Sequence, residues 1–315
     1  MGRFRGVDEL LNNPKIASLA KIVERREAVD VFRVALPEKE VVLRQARQWA
    51  ESIFSERASR DPRAEIVDRK SRTVYKHPDG FRVRAYPGSN TIEFRDTNRV
   101  YAGHTGIRES DGVRGIVDSF VARHKLIPDG ETDLQFDSLR FVKSRGMSAD
   151  REMSGIVVHN AIAVYSRWTD GLPWIGRGSR VVAMISGEEV VDYQRPWREV
   201  LPEPVSKVRL RPVAHALEGM LNDLSTRSGQ QDVSGEDIEL VQADLGFYAA
   251  GKHKTQRLIQ PVYLFAYRLR EAFSTNGFVF GFYAHEENLE HILPSIAAPR
   301  AGRRQRIMRF EQQRS

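Results

Sequence analysis

Apolar positions recur at helical spacing in three stretches of the chain. From Pro37 to Arg57, the residues Val42, Leu43, Ala46, Trp49, Ala50, Ile53 and Phe54 share one stripe, with the proline at a first-turn position. From Asp111 to Lys125 the stripe is Val113, Ile116, Val117, Phe120 and Val121, with Ser110 or Asp111 as the cap. From Pro212 onward it is Val213, Ala216, Leu217, Met220, Leu221 and Leu224. Each stripe is one-sided, so each predicted helix needs an apolar surface to lie on.

The text after each helix reads as strand. AEIVDRKSRTVYKH, GFRVRAYP and NTIEFRDT follow the first, joined by the turn signals Asp79-Gly80 and Gly88-Ser89-Asn90. DLQFDSLRFVKSRG, SGIVVHNAIAVYSRWTDG, SRVVAMIS and EEVVDYQRPW follow the second; DIELVQADLGFYAAG, RLIQPVYLFAYRLR and GFVFGFYAH follow the third. A helix and then a run of strands, three times over, predicts an α+β fold of tandem modules, each with one helix packed on a curved antiparallel β-sheet. Singly alternating strands and helices, as in a doubly wound fold, are absent. The expected division is a helical arm over residues 1–36, modules over 37–105, 106–205 and 206–298, and a flexible basic tail over 299–315. The third module can pair with the second. Leu10, Leu11, Ile16, Leu19, Ala20 and Val23 fit the arm to dock on the body or on a second copy of the chain, which makes a homodimer an option.

Three of the four tryptophans fall in RWTDGLPWIGRGSRVVAMISGEEVVDYQRPWR, Arg167 to Arg198. Strand alternation puts Ile162, Val164, Ser166 and Trp168 on one face and Ala163, Tyr165 and Arg167 on the other. Trp168, Trp174 and Trp197 then cap core edges beside a strand reversal, the alternative being a ligand-facing loop. This stretch resembles the Y-x-R…G-L-P…W-R pattern of PepSY-type and YycI-like domains, which also occur as propeptides of thermolysin-like proteases. LVQADLGFYAAGKHKTQRLIQPVYLFAYRL and ARHKLIPDG are similar to other parts of such modules, so the resemblance spans roughly Val113 to Tyr283. It implies a cystatin-like fold serving as a non-catalytic binding, inhibitory or regulatory module, with no catalytic residue to carry over. Unlike exported members, the chain shows neither a signal-like start nor an apolar run long enough to span a membrane; the expected location is cytoplasmic, with a removed leader left open.

Composition narrows the chemistry. The absence of cysteine excludes disulfides, thiolate metal sites and a cysteine nucleophile. Of the net charge of +7, the 300–315 tail supplies most, through Arg300, Arg303, Arg304, Arg306, Arg309 and Arg314 against the single acid Glu311. That tail reads either as a nucleic-acid or acidic-surface contact or as a solvated end. The eight histidines show no metal-binding spacing: His285 and His291 lack the four-residue return, and His253 in KHK reads as an exposed turn. Neither a phosphate-binding glycine loop nor a G-x-S-x-G elbow is present. No metal or cofactor is expected. The candidate ligand-binding residues are Tyr165, Arg167, Asp170, Arg195 and Arg198 near the tryptophans, and Tyr248, Tyr263, Tyr267 and Arg268 in the third module, as a Tyr- and Arg-lined concave sheet. The expected function is binding of a peptide, protein or small molecule without chemistry; the alternatives are an enzyme or carrier with a cavity between helix and sheet, and nucleic-acid binding through the tail.

Overall fold

The computed structural model describes residues 5–26, 28–58, 63–100, 110–127, 134–147, 150, 153–228, 235–269, 278–287, 289–290 and 293. Its elements run α1 (Arg5–Leu11), α2 (Pro14–Glu24), β1 (Ala28–Ala35), α3 (Lys39–Arg57), β2 (Glu65–Arg69), β3 (Arg72–Lys76), β4 (Phe81–Tyr86), β5 (Thr91–Asp96), α4 (Ser110–Arg123) and β6 (Leu134–Ser144). They continue with β7 (Val157–Thr169), β8 (Leu172–Ile175), β9 (Arg180–Ser186), β10 (Glu189–Pro196), β11 (Glu199–Arg209), α5 (Val213–Ser228), β12 (Ile238–Tyr248), β13 (Leu258–Ile259), β14 (Pro261–Leu269) and β15 (Phe278–Tyr283). The protein is α+β and its sheet pairing is mostly antiparallel. None of its described helices is long and apolar enough to cross a membrane. The chain forms two compact units: one within Met1–Val31, Ser206–Gly246 and Gln260–Ser315, the other within Phe32–Val205 and Phe247–Ile259.

In the second unit the strands lie in the order β6-β7-β9-β10-β5-β4-β3-β2. The pairing that joins its halves is β5 with β10, where Phe94 stands opposite Tyr193. The strands of the expected first and second modules, drawn apart at residue 105, therefore share one sheet. Its buried face is built by alternation: Val83 and Ala85, Ile92 and Phe94, Ala161 and Ala163, Val181, Ala183 and Ile185 all point inward. Helix α3 lays Val42, Ala46, Trp49 and Ile53 on that face, and α4 adds Val113, Val117 and Phe120. Alanines at the contact let both helices sit close, and each large apolar side chain buried there contributes roughly 1.5–3 kcal/mol.

The tryptophan stretch folds as a chain of reversals. Strands β7 and β8 pair through Trp168 opposite Pro173 and Thr169 opposite Leu172. Between them Asp170 and Gly171 take positive φ values of 49° and 68°, the two-residue turn that matches strand twist. Strand β8 then runs parallel to the end of β12, Phe247 beside Trp174 and Tyr248 beside Ile175.

In the first unit α1 and α2 pack on α5, burying Val7, Leu10, Ile16 and Leu19. Asn13 caps α2, its side-chain oxygen accepting the Lys15 amide at 3.0 Å. The arm's apolar side is thus covered within its own chain. Helix α5 lies on β15 so closely that a Cβ on Gly219 would stand 2.9 Å from the Phe282 ring.

At Gly178 the backbone is closely approached: a Cβ there would lie 1.9 Å from the Ala250 carbonyl oxygen. Gly178→Ala is expected to lower unfolding stability by about 2–4 kcal/mol, whereas Gly115→Ala, with nothing within 4 Å of its Cβ position, is expected to raise it by roughly 1 kcal/mol through helix propensity. Urea denaturation with an unchanged m-value measures both.

Candidate functional site

The three arginines expected beside the tryptophans are buried. Arg195 is 1% exposed, Arg198 2% and Arg167 4%. On β10, Arg195 donates to the Leu126 carbonyl at 3.0 Å and to the Gln45 side-chain oxygen at 2.8 Å, with its guanidinium over the Trp49 ring at 4.9 Å. Burial pulls its pKa down to about 10, and the charge is held by neutral groups alone. Arg167 stacks between Trp174 and Trp197, 4.2 and 4.5 Å from their ring centres, and donates to the Arg198 carbonyl at 2.6 Å. Arg198 in turn donates to the carbonyls of Lys254 at 3.1 Å and Gly251 at 3.4 Å.

The tyrosines are buried as well. The Tyr165 hydroxyl donates to Asp118 at 3.2 Å, and burial pushes its pKa up. Tyr248 is buried beside Gly176. Asp170 serves the β7–β8 turn. In the first unit Tyr263 and Tyr267 point into the core from alternate positions of β14, Tyr263 donating to the Arg211 carbonyl at 2.6 Å, while Arg268 is exposed on the opposite side. The structure thus brings Arg167, Arg195 and Arg198 together with three indoles; it does not gather the tyrosines of the first unit with Arg268. Arg300, Arg303, Arg304, Arg306 and Arg309 lie outside the described residues. Among the described residues no three histidine or carboxylate side chains converge as a metal cage.

One recess of the second unit comes from residues that strand reasoning passed over. A cleft of about 810 Å³ is bounded by the last turn of α3, by α4, by the ends of β4 and β5, and by the β9–β10 turn. Phe81, Ile116 and Phe120 give it an apolar floor; Arg57, Arg99 and Arg123 alternate on its walls with Glu56, Asp96 and Glu189. Arg57 is the central group. Its guanidinium lies over the rings of Phe94 and Phe120, at 5.2 and 5.4 Å. Its Nη1 stands 3.7 Å from the Glu189 carboxylate, near enough for attraction and too far for a hydrogen bond, and this buried nitrogen has no acceptor among the described residues. Burial lowers the Arg57 pKa while Glu189, Asp96 and Glu56 push it back up. Arg99 is fixed by pairing with Glu189 and by an Asp96 side chain that accepts its amide at 3.1 Å. The sequence signal was present: Arg57 follows Ile53 by four and Phe54 by three, so the charge extends the apolar stripe itself.

Beside the cleft, Ser52 Oγ lies 2.8 Å from His124 Nδ1, and His124 Nε2 lies 3.3 Å from Glu56. The order serine, histidine, carboxylate invites a hydrolase reading, but Ser52 lies inside α3 and Glu56 in its last turn, where the backbone amides around the serine are engaged in the helix.

No family model matches the chain, and no curated protein matches it. Among solved structures, the chain is similar to an uncharacterized protein from Eubacterium rectale, with a TM-score of 0.50 and 7% identity over 85% of this chain and 87% of that one. It also matches YycH from Bacillus subtilis at a TM-score of 0.37 and 10% identity, over 76% of this chain and 48% of that one. The first likeness is one of fold; neither gives sequence-level support to the PepSY pattern.

Arg195→Ala is expected to cost about 3–5 kcal/mol, since it opens a hole against Trp49 and strips a donor from Leu126 and Gln45; Arg195→Met, which keeps the stem's packing, is expected to recover part of that in chemical denaturation. His124 carries a pH signature. Burial depresses its folded pKa below the ordinary 6.5, so the unfolded chain takes up the proton first. Stability is then complete above that value and falls as pH drops through it. His124→Gln is expected to flatten the loss of thermal stability between about pH 7 and 5.

Proposed function

We propose that the second unit is a non-catalytic binding module that receives an extended peptide segment in the cleft between α3 and α4. The reading also treats α3 with β2–β5, and α4 with β6–β10, as two cystatin-like modules fused through the β5–β10 pairing. The observation that carries the function is the Arg57 guanidinium: over two phenylalanine rings, half-buried on the cleft wall, with one nitrogen that has no acceptor among the described residues. A peptide carbonyl or carboxylate toward which the guanidinium turns supplies that acceptor. The remaining walls suit a backbone too, because carboxylates and guanidiniums alternate where amide N–H and C=O groups alternate. Small-molecule pockets, by contrast, are mostly apolar with a few polar groups.

Gly115 provides the test, because its Cβ position faces open space within the cleft. Peptides selected from a random library on the wild-type protein are expected to lose binding to Gly115→Phe. They are expected to bind Arg57→Met about tenfold or more weakly, the worth of one charge-assisted hydrogen bond. Calorimetric titration reads the affinities, and thermal melts confirm that both variants fold. Equal binding to wild type and Gly115→Phe would sink the proposal; hydrolysis of any ester or peptide that disappears in Ser52→Ala would replace it with an enzyme.

A further inference from the structure

A second recess in the same unit differs from the cleft in kind. It holds about 330 Å³ and lies between the β2–β3 turn, the start of α3, the Pro87–Gly88 segment and the 252–255 loop. Lys39, Arg69, Lys70, Arg72, Lys252 and Lys254 line it together with His253, and no carboxylate does. Three separate parts of the chain deliver these cations.

Their clustering runs against the local electrostatics. Arg69 and Arg72 stand directly opposite each other in the β2–β3 register, where like charges repel. Lys39 opens α3, the end at which the helix dipole disfavours a cation. The nearby acids are already engaged. Glu93 takes the Lys252 ammonium at 2.5 Å, the Tyr86 hydroxyl at 3.3 Å and Arg84 at 3.8 Å; Asp68 accepts the Thr73 hydroxyl at 2.6 Å. Among the described residues Arg72 reaches only the Tyr86 hydroxyl, at 3.5 Å. Lys39, Arg69, Lys70 and Lys254 have no ionic partner among the described residues.

One wall of the recess is fixed in place. Ser89 donates to the Lys252 carbonyl at 2.8 Å, and the Lys254 amide closes a turn on the Gly251 carbonyl at 2.9 Å. Arg198 holds both the Gly251 and the Lys254 carbonyls from beneath. The Tyr86 ring meets the Lys252 ammonium at 5.1 Å and the His253 ring edge-on at 5.2 Å. Cations on a tied loop face cations on a two-residue turn across a small recess.

We propose that this recess is a binding site for a soluble anion carrying two or more phosphate groups. A single carboxylate would leave most of the charge uncompensated, whereas an oligophosphate meets several cations at once. The adjacent guanidiniums of Arg69 and Arg72 offer planar donor forks that match phosphate oxygens. The lining has no large apolar side chain with which to enter a lipid layer. The proposal is independent of the peptide reading of the cleft.

The test is calorimetric titration of the whole protein with pyrophosphate and with tripolyphosphate, at ionic strength held constant with sodium chloride. Saturable one-to-one binding is expected, with tripolyphosphate tighter than pyrophosphate and orthophosphate weakest. The double variant Arg69→Ser with Lys254→Ser is expected to weaken it about tenfold or more, and Lys70→Ala alone by a few fold. Arg140→Ser with Lys143→Ser removes the same charge from exposed positions on β6, and is expected to change affinity less than about twofold. Absence of saturable binding, or equal losses in the two double variants, overturns the site. Binding to vesicles containing phosphatidic acid without binding to tripolyphosphate overturns it in favour of a membrane-facing patch.

Discussion

Everything in the second unit hangs from a buried stack of guanidiniums and indoles. Arg195 leaves β10 and binds Gln45 on α3 with one nitrogen and the Leu126 carbonyl, just past α4, with another. A single side chain thereby ties both helices to the sheet and fixes the distance between them. Arg167 and Arg198 continue the arrangement along β7 and past β10, the first stacked between Trp174 and Trp197, the second gripping the carbonyls of the 251–254 turn. Burying a cation among neutral partners is costly, and that cost is what pulls the Arg195 pKa down. With a pKa of about 10 the group remains protonated at neutral pH, so the hydrogen bonds it donates are charge-assisted and short of competitors. Deprotonation favours the folded state only as pH rises from there toward the ordinary arginine value.

The two recesses divide the electrostatics of the unit between them. In the cleft each arginine has a carboxylate near it, so the field is local and the unsatisfied element is one hydrogen bond on Arg57. In the smaller recess the charges are of one sign, and the unsatisfied element is the field itself. Averaged charge hides this. With most of the net +7 residing in the 300–315 tail, the rest of the chain is nearly balanced by count, yet six cations meet around one small volume because folding gathers three distant segments. Balance in number is not balance in space.

How much of this the sequence showed depends on which period is being read. The 3.6 period located α3, α4 and α5 to within a few residues, because each helix has one buried stripe and nothing else competes for it. Most strand text was equally plain, but β1 (Ala28–Ala35) lies within the expected helical arm, β11 (Glu199–Arg209) runs across the expected boundary at 205, and Asp170, expected to bind a ligand, makes the β7–β8 turn with Gly171. Strand neighbours were another matter: a period of two tells which face a residue is on and nothing about the adjoining strand, so the β5–β10 pairing and the parallel run of β8 beside β12 had no local signal. The arginines show the same limit from the other side. Alternation placed Arg167 on one face with Ala163 and Tyr165, and that face is the one turned to the core. Arg195 follows the buried Tyr193 by two in the same way. Assigning these side chains to an open surface followed their polarity, while their position pointed inward; indole faces and free carbonyls reconcile the two.

The stack also bears on whether the two recesses communicate. Arg195 sets the helix spacing that shapes the cleft, and Arg198, three residues on, anchors one wall of the cationic recess. A shared support does not by itself couple two sites, since coupling requires that the support have two arrangements and that each ligand prefer one. Here the support is close-packed: Gly178 admits no Cβ beside the Ala250 carbonyl and Arg198, and Arg167 is held between two indoles while it donates to the Arg198 carbonyl. A rigid scaffold of this kind positions both recesses and switches neither, so occupancy of one is felt at the other only through long-range charge. Salt screens that interaction within about a Debye length of 8–10 Å.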